Sequence, residues 1–294
     1  MGAIVIALCV MIGVVATGTD TAASERGEDM APPSQTSQEP APTTYGPQVA
    51  LPFTSLNGPQ GLALAADGDI LVADMNNVRV VRLAPATGVQ TTLPFTGLTQ
   101  PVDVAVDRAG NVFVADFADS MVLRLQADTA VQSQVPLVNL IHNSSVVVDD
   151  SGNVYAEGFK IFDMVMVPGG NGPEKVVPFD GINLGDFDVD SLGDVYAIDI
   201  SKNRVVRLDA DWRTQTVLPF SDIDPNSIAV GGDGSVYVTD ITNRSVSKWT
   251  PGTKSPVILP FTGLVKPTGI AVDTAGNVYV SDLDQNHVLK LPVI

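Results

Sequence analysis

Residues 259–291 read LPFTGLVKPTGIAVDTAGNVYVSDLDQNHVLKL, and this stretch is the clearest copy of a unit that recurs along the chain. The unit opens with an apolar-Pro-apolar triplet that recurs at steps of 42, 42, 42, 41 and 41 residues, beginning at Leu51, Leu93, Val135, Val177, Leu218 and Leu259. A glycine keeps one register in the same copies, at Gly68, Gly110, Gly152, Gly193, Gly234 and Gly276. A fixed period of this length is typical of propellers and solenoids.

Each unit contains short runs rich in Val, Ile, Tyr and Leu, such as 270–272, 278–280 and 288–291, separated by Gly, Asp and Asn turns. With a fourth strand, one unit makes one blade, so six units predict an all-β, six-bladed propeller. If the Leu-Pro-Phe triplet closes the outermost strand of the preceding blade, the last copy has only three strands. Residues 48–53 are then predicted to supply the missing strand, so that the chain ends pair and close the ring.

The second and third strands of each unit predict a pairing across the sheet. A large apolar or aromatic residue on the second strand faces a basic residue on the third, which favours cation-π contact or packing of the aliphatic stem. The predicted pairs are Leu71–Arg82, Phe113–Arg124, Tyr155–Met166, Tyr196–Arg207, Tyr237–Lys248 and Tyr279–Lys290. The third copy is irregular, because Met166 replaces the basic residue there.

Composition excludes some classes of partner and of chemistry. The chain has 294 residues, with 16 basic against 33 acidic side chains and a formal charge of -17. Nucleic acid and anionic membrane surfaces require basic patches, so neither is expected as a partner of the repeats. The single cysteine, Cys9, precedes the repeats. The repeat region therefore has no disulfide, thiolate metal site or cysteine nucleophile.

The N-terminal region divides into two segments ahead of the repeats. Residues 1–17 are almost wholly apolar and predict a signal peptide or a transmembrane segment, truncated at its start because no basic residue precedes it. Residues 18–46 are rich in Pro, Ser and Thr and predict a disordered linker. Residues 47–294 are predicted to form the propeller. This order predicts an extracytoplasmic protein, membrane-anchored or secreted, that meets the membrane only through its N-terminal segment.

The strings PTGIAVDTAGNVYVSDLDQNHVLKL and PVDVAVDRAGNVFVADFADSMVLRL resemble NHL repeats. With LPFTGL before them, the units are most similar to the extracellular sensor propellers of mycobacterial serine/threonine kinases of the protein kinase D type. The resemblance covers residues 47–294 and implies a six-bladed propeller tethered outside the membrane. The chain has no Gly-rich ATP loop and no HRD or DFG string. Kinase activity is therefore not carried over to it.

Candidate site residues lie where the innermost strands begin, because propellers usually bind ligands at one mouth of the central channel. The position that opens the first strand is Gly61, Asp103, Ser145, Asp186, Ser227 and Gly269, so carboxylates come from the second and fourth blades. Asp188 stands in a register filled by Ala63, Ala105, Val147, Ala229 and Ala271 elsewhere. The predicted ligand-binding residues are Asp103, His142, Ser144, Ser145, Asp186, Asp188, Asn226 and Ser227.

Two interpretations of these carboxylates remain open. In the first, the channel is acidic and filled with water, without a specific ligand. In the second, it binds a polar small molecule or a hard cation such as Ca²⁺, held by the oxygen ligands Asp103, Asp186, Asp188 and Asn226. A zinc site of three histidines is excluded, since the chain has only two.

The sequence favours a non-catalytic sensor or recognition propeller that binds an extracellular ligand or protein. Apart from Ca²⁺ in the channel, no cofactor is expected. The alternative is a metal-dependent hydrolase or lyase of the six-bladed lactonase type, which would use the same carboxylates around a cation. Fold alone does not separate the two, so whether the chain is an enzyme stays open at this point.

Overall fold

The structure is a computed structural model that describes residues 43–138, 140, 144–157 and 164–294. Within these ranges the chain is almost entirely β, with two short 3-10 helices at Met75–Asn77 and Pro168–Gly170. In the same part of the chain, no helix is long and apolar enough to cross a bilayer. The predicted apolar segment 1–17, most of the predicted linker 18–46 and His142 lie outside the described residues.

The strands form six four-stranded antiparallel sheets, which confirms the predicted six blades. The N-terminal strand β1 is Val49–Ala50. Blades 1 to 3 follow in chain order, from the innermost strand outward: β2 Pro59–Leu64, β3 Ile70–Asp74, β4 Arg79–Ala84, β5 Val89–Thr92; β6 Pro101–Val106, β7 Val112–Asp116, β8 Met121–Leu125, β9 Gln132–Gln134; β10 Val146–Val148, β11 Val154–Glu157, β12 Met164–Val167, β13 Lys175–Val177. Blades 4 to 6 are β14 Leu184–Val189, β15 Val195–Asp199, β16 Arg204–Leu208, β17 Gln215–Val217; β18 Pro225–Val230, β19 Val236–Asp240, β20 Ser245–Trp249, β21 Val257–Ile258; β22 Pro267–Val272, β23 Val278–Asp282, β24 His287–Leu291.

Blade 6 is completed from the other end of the chain, as predicted. Strand β1 pairs with β24 and makes the fourth strand of the sheet. The pairing extends further upstream than residue 48, because the Ile294 amide donates to the Thr44 carbonyl at 3.1 Å and Gly46 to Pro292 at 2.8 Å. The ring therefore closes through backbone hydrogen bonds over most of residues 44–51, which cover the outer edge of β24.

In four blades the hairpin between the first and second strands is fixed by an aspartate and a glycine three residues later, the aspartates being Asp107, Asp149, Asp190 and Asp273. In blade 6 the Asp273 carboxylate accepts the amides of Ala275 and Asn277, and Gly276 adopts a φ of +85°. Only glycine adopts this backbone conformation without strain, which explains the conserved spacing between copies. The acidic turns are therefore structural turns whose aspartates bind their own backbone.

The predicted cross-strand pairs are confirmed in all six blades. The cation lies over the ring in three of them: Arg124 on Phe113 at 5.6 Å, Lys248 on Tyr237 at 5.2 Å and Lys290 on Tyr279 at 5.1 Å. Two other basic residues form ion pairs with acids of the hairpin turns, Arg82 with Asp69 and Arg207 with Asp194.

The hydrophobic core lies between adjacent blades rather than inside any one of them. Leu62 and Val72 of blade 1, for example, belong to one buried cluster with Tyr279 and Val288 of blade 6. Each sheet presents side chains to both neighbours, which is why the strands contain nearly continuous apolar runs. The innermost strands consequently have one unpaired edge each, and these edges surround the central channel.

Candidate functional site

Five of the six innermost strands contain a register shift at the positions that the sequence singled out. In blade 4, Leu184 pairs with Asp199 and Phe187 with Ala197, so Gly185 and Asp186 both oppose Ile198. Blades 1, 2, 5 and 6 show a shift at the same place. The prediction that these positions open the first strand is wrong for those five blades, where the strand begins two residues earlier. An inserted residue changes the direction of the side chains beside it, and here it places them at the channel.

A hydrogen-bonded series of side chains links blades 2 to 5 around the channel. The Ser145 hydroxyl donates to Asp186 Oδ1 at 2.6 Å and lies 3.3 Å from Asp103 Oδ2. On the other side of Asp186, the Ser227 hydroxyl donates to Oδ2 at 2.6 Å. The structure therefore brings together four of the predicted site residues, namely Asp103, Ser145, Asp186 and Ser227.

The same carboxylates accept hydrogen bonds from the unpaired strand edge of the next blade. Asp103 Oδ2 accepts the Val146 amide at 2.9 Å, and Asp186 Oδ2 accepts the Ile228 amide at 3.0 Å. These amides have no neighbouring strand, and a buried amide without a partner is costly. The other Asp103 oxygen packs so closely against Gly61 that a Cβ at that glycine would overlap it. The acids thus join one blade to the next.

Asp188 and Asn226 lie at different depths of the channel from Asp103 and Asp186. Asp188 Oδ2 accepts the Val230 amide at 2.7 Å and its Oδ1 accepts the Val189 amide at 2.8 Å, in a cavity of about 200 Å³ lined mainly by aliphatic residues. Asn226 donates its side-chain amide to the Thr268 carbonyl at 2.8 Å and lines the mouth at the opposite end. The four predicted cation ligands are therefore spread along the channel.

Burial raises the pKa of the carboxyls on the channel wall. For Asp103 the pKa is well above its usual value, first because of burial and then because of the neighbouring Asp186 charge. Burial also raises the pKa of Asp186, against the opposing effect of its hydrogen bonds with Ser145 and Ser227. It raises the pKa of Asp188 to about 7. All three side chains keep some exposed surface in the channel, so water reduces these effects.

A cavity of about 390 Å³ occupies the mouth where the innermost strands begin. Its walls combine three side-chain amides, Gln60, Gln100 and Asn226, with the apolar groups of Met75, Phe117 and Ile200. Asp103, Asp186 and Ser227 lie at the boundary that this cavity shares with the deeper one. Ser144 also lines the mouth, and its hydroxyl donates to Glu157 Oε2 at 2.6 Å.

Glu157 is a residue of this region that sequence reasoning missed. It ends β11 in a slot that the other blades fill with Ala73, Ala115, Ile198, Thr239 and Ser281, so it is the one acid in that register. Burial raises the pKa of its carboxyl, and the Asp186 charge adds to the rise. Comparison of this slot between copies would have identified it, as the same comparison identified Asp188.

The described residues contain no group of three His, Cys, Asp or Glu side chains that could hold a metal ion. The two Asp186 oxygens and the two Asp188 oxygens already accept hydrogen bonds. The structure thus adds no support to the Ca²⁺ prediction, which stays a prediction. His142 lies outside the described residues, so its predicted place in the site stays a prediction as well.

Comparison with known proteins identifies the repeat and the fold. Residues 56–83 match the NHL repeat model. No curated protein sequence matches the chain. Similar solved structures include the chain of a nidogen/laminin complex, with a TM-score of 0.65 and 18% identity over 74% of this chain and 85% of that chain.

Two enzymes are among the similar structures. Virginiamycin B lyase from Staphylococcus aureus has a TM-score of 0.65 and 12% identity, over 85% of this chain and 100% of that chain. A gluconolactonase from Xanthomonas campestris has a TM-score of 0.68 and 12% identity, over 84% of this chain and 89% of that chain. At such identities the likeness shows the fold alone. The chain is a six-bladed β-propeller that carries an NHL repeat.

Proposed function

We propose that the propeller is a non-catalytic binding head that takes a neutral or cationic polar small molecule at the mouth of its channel. The observation that carries the proposal is the mouth cavity, which is of the size that small-molecule sites have and joins a few amide groups to apolar walls. Neighbouring carboxylates and a net charge of -17 disfavour anionic ligands.

The carboxylates on the channel wall already accept hydrogen bonds from the protein, and this favours a binding role over a catalytic one. A general base or a cation ligand must direct a free lone pair at the substrate or ion. Asp186 Oδ2 accepts both the Ser227 hydroxyl and the Ile228 amide, and its Oδ1 accepts the Ser145 hydroxyl. Asp103 Oδ2 accepts the Val146 amide, and its Oδ1 packs against Gly61. The hydrolase or lyase alternative needs these same acids to be available.

An extracytoplasmic location is part of the proposal. Its support is the apolar segment 1–17 followed by a Pro, Ser and Thr-rich stretch ahead of the propeller. Attachment to a membrane serine/threonine kinase is the arrangement that the resemblance of the repeats implies. The head would then report its ligand across the membrane.

A screen of small polar fragments by ligand-observed NMR tests the binding site. Ile200 lines the mouth and is 46% exposed, so Ile200→Trp fills the cavity without changing the buried core. Neutral and amine-bearing fragments are expected to bind the natural chain and to lose binding to the variant. Fragments that bind both proteins equally would show that the mouth is not the site.

A lactone-hydrolysis assay addresses the enzyme alternative. Gluconolactone, with and without added Ca²⁺, is expected to hydrolyse no faster with the protein than without it. Rate enhancement that depends on Ca²⁺ and disappears in Asp186→Asn would contradict the non-catalytic proposal.

A further inference from the structure

Every blade contributes one residue to the lining of the mouth cavity from the same register of the repeat. In chain order these residues are Gln60, Val102, Ser144, Gly185, Asn226 and Thr268. The larger polar side chains come from blades 5, 6 and 1, which are consecutive around the ring, whereas blades 2 and 4 supply a valine and a glycine. The mouth therefore has a polar part and an apolar part.

Hydrogen bonds between blades hold the polar part in place. The Asn226 side-chain amide donates to the Thr268 carbonyl at 2.8 Å, and the Thr268 hydroxyl donates to the Pro59 carbonyl at 3.1 Å. These bonds use a donor of each side chain. Within the described ranges of the chain, no group donates to Asn226 Oδ1, so this oxygen is available to a ligand.

Two glutamines from neighbouring blades converge on one methionine at the same mouth. Gln60 Nε2 lies 3.5 Å from the Met75 sulfur, and Gln100 Nε2 lies 3.7 Å from it. A thioether is only a weak acceptor. No donor in the part of the chain that the structure describes reaches the side-chain carbonyl of either glutamine. Each amide can therefore both donate a hydrogen bond to a ligand and accept one from it.

The apolar part is built from residues that follow the second strands of blades 2 and 4. Phe117 donates its backbone amide to the Gln100 carbonyl at 3.0 Å, and Ile200 donates to the Asn183 carbonyl at 2.9 Å. A Cβ at Gly185 would lie 2.7 Å from Ile200, so the glycine lets this side chain lie against the strand. Phe117 and Ile200 thus form a fixed apolar wall beside the amides.

We propose that the ligand of the mouth is a neutral hexopyranose, free or at the end of a glycan. Sugar hydroxyls donate and accept hydrogen bonds as the side-chain amides do, and the C–H face of the ring packs on Phe117 and Ile200. The carboxylates of Asp103 and Asp186 nearby disfavour an anionic sugar. The inference rests on the proposed function and narrows its polar small molecule to a sugar ring.

An NMR titration of the natural chain with the methyl pyranosides of glucose, galactose and mannose tests the inference. We expect saturable binding of at least one of them. The uronic acid counterpart of the sugar that binds is expected to bind at least tenfold more weakly, because its carboxylate meets the acidic channel. Cyclohexanol, which has the ring but a single hydroxyl, is expected to bind at least tenfold more weakly as well.

Substitutions at the mouth separate the amides from the apolar wall. Gln60→Leu and Gln100→Leu each remove one amide and are expected to weaken sugar binding by roughly tenfold. Phe117→Leu, which reproduces Leu283 of blade 6, is expected to weaken it by roughly fivefold through loss of the ring face. Gln134→Leu makes the same change as the glutamine variants on the outermost strand of blade 2, at an exposed side chain, and is expected to leave the affinity unchanged.

Disaccharides of the sugar that binds distinguish its two sources. A disaccharide that binds more tightly than the methyl pyranoside identifies the end of a glycan, and equal affinity identifies a free sugar, and either result supports the inference. Sugar binding that is unchanged in Gln60→Leu, Gln100→Leu and Phe117→Leu would overturn it. Fragments that bind the mouth and are lost in Ile200→Trp, with no pyranoside bound, would overturn the inference and leave the proposed function standing. Absence of binding by fragments and sugars alike would overturn both.

Discussion

The acids on the channel wall act through the backbone amides that they accept. Each lies on the innermost strand of one blade and binds an amide on the open edge of the next, as Asp186 does with Ile228 and Asp188 with Val230. In a closed ring of sheets these edges have no strand to pair with, so side chains or channel water satisfy them. The acids therefore belong first to the stability of the ring, and their raised pKa values follow from that position.

The raised pKa of Asp188 predicts that the stability of the propeller depends on pH. Its folded-state pKa of about 7 exceeds the value near 4 expected for an unfolded aspartate. The stability associated with the neutral carboxyl is fully present below about pH 4 and is lost as the pH rises toward 7. We expect the free energy of unfolding to fall over this range, as measured by urea denaturation at a series of pH values.

Asp188→Ala places the residue that four other blades have in this register. At pH 8 the change removes a partly buried charge but also removes the acceptor of the Val230 amide, so we expect the free energy of unfolding to change by less than about 1 kcal/mol and the pH profile to flatten. Asp211→Ala, at an exposed position, is the control with the same change of charge. A profile that stays as steep in Asp188→Ala as in the natural chain would show that Asp188 is not responsible.

At the level of strands and turns, the internal repeat made most of the fold predictable. The repeat period, the glycine of the hairpin turn and the alternation of apolar and polar residues located the three inner strands of each blade. The Leu-Pro-Phe triplet located the fourth strand. The amide of Leu93, for example, donates to the Val80 carbonyl of β4 just beyond the end of β5. Register followed as well, since a four-residue hairpin fixes which side chains lie opposite each other.

The register shifts in the innermost strands could not be predicted in this way. Strict alternation assumes one residue per pairing position, whereas Asn226 and Ser227 together oppose Thr239. The outer contacts between blades were missed for another reason. The side chains of Gln90 and Gln132 bind the backbone of the preceding blade's loop, at Thr54 and Thr96. These glutamines occupy a position that recurs in the copies, but nothing in the local sequence indicates the contact.

Closure of blade 6 by β1 makes the strongest prediction about an element. Deletion of residues 1–51 removes the hydrogen bonds between residues 44–51 and the C-terminal strand, and exposes the edge of β24. We expect the free energy of unfolding to fall by roughly 3–5 kcal/mol, at about 1 kcal/mol for each hydrogen bond lost. Chemical denaturation monitored by tryptophan fluorescence measures it.

Deletion of residues 1–42 alone is the matched control. It leaves the pairing from Thr44 onward intact, so the stability of the propeller is expected to stay the same. An equal loss in both deletions would mean that residues 1–42, and not β1, account for the loss of stability. No loss in the longer deletion would mean that the ring does not depend on β1.

For the molecule as a whole, the site was predictable in its residues but not in its arrangement. Repeat comparison selected Asp103, Ser145, Asp186 and Ser227, and the structure joins these four. The comparison of repeats could not show that Asp188 lies in a deeper cavity, or that the acids accept hydrogen bonds from the neighbouring blade. Those features depend on how the innermost strands meet, which one copy of the repeat does not contain.

The central claim is that the carboxylates of blades 2 and 4 join blades 2 to 5 and leave the mouth free to bind a ligand. A thermal-unfolding titration of the natural chain and Asp186→Asn with CaCl₂, against NaCl at matched ionic strength, tests it most directly. We predict that Ca²⁺ does not shift the midpoint of either protein beyond the NaCl control, because both Asp186 oxygens are already hydrogen-bonded. A saturable rise in the midpoint of the natural chain that is absent in Asp186→Asn would contradict the account.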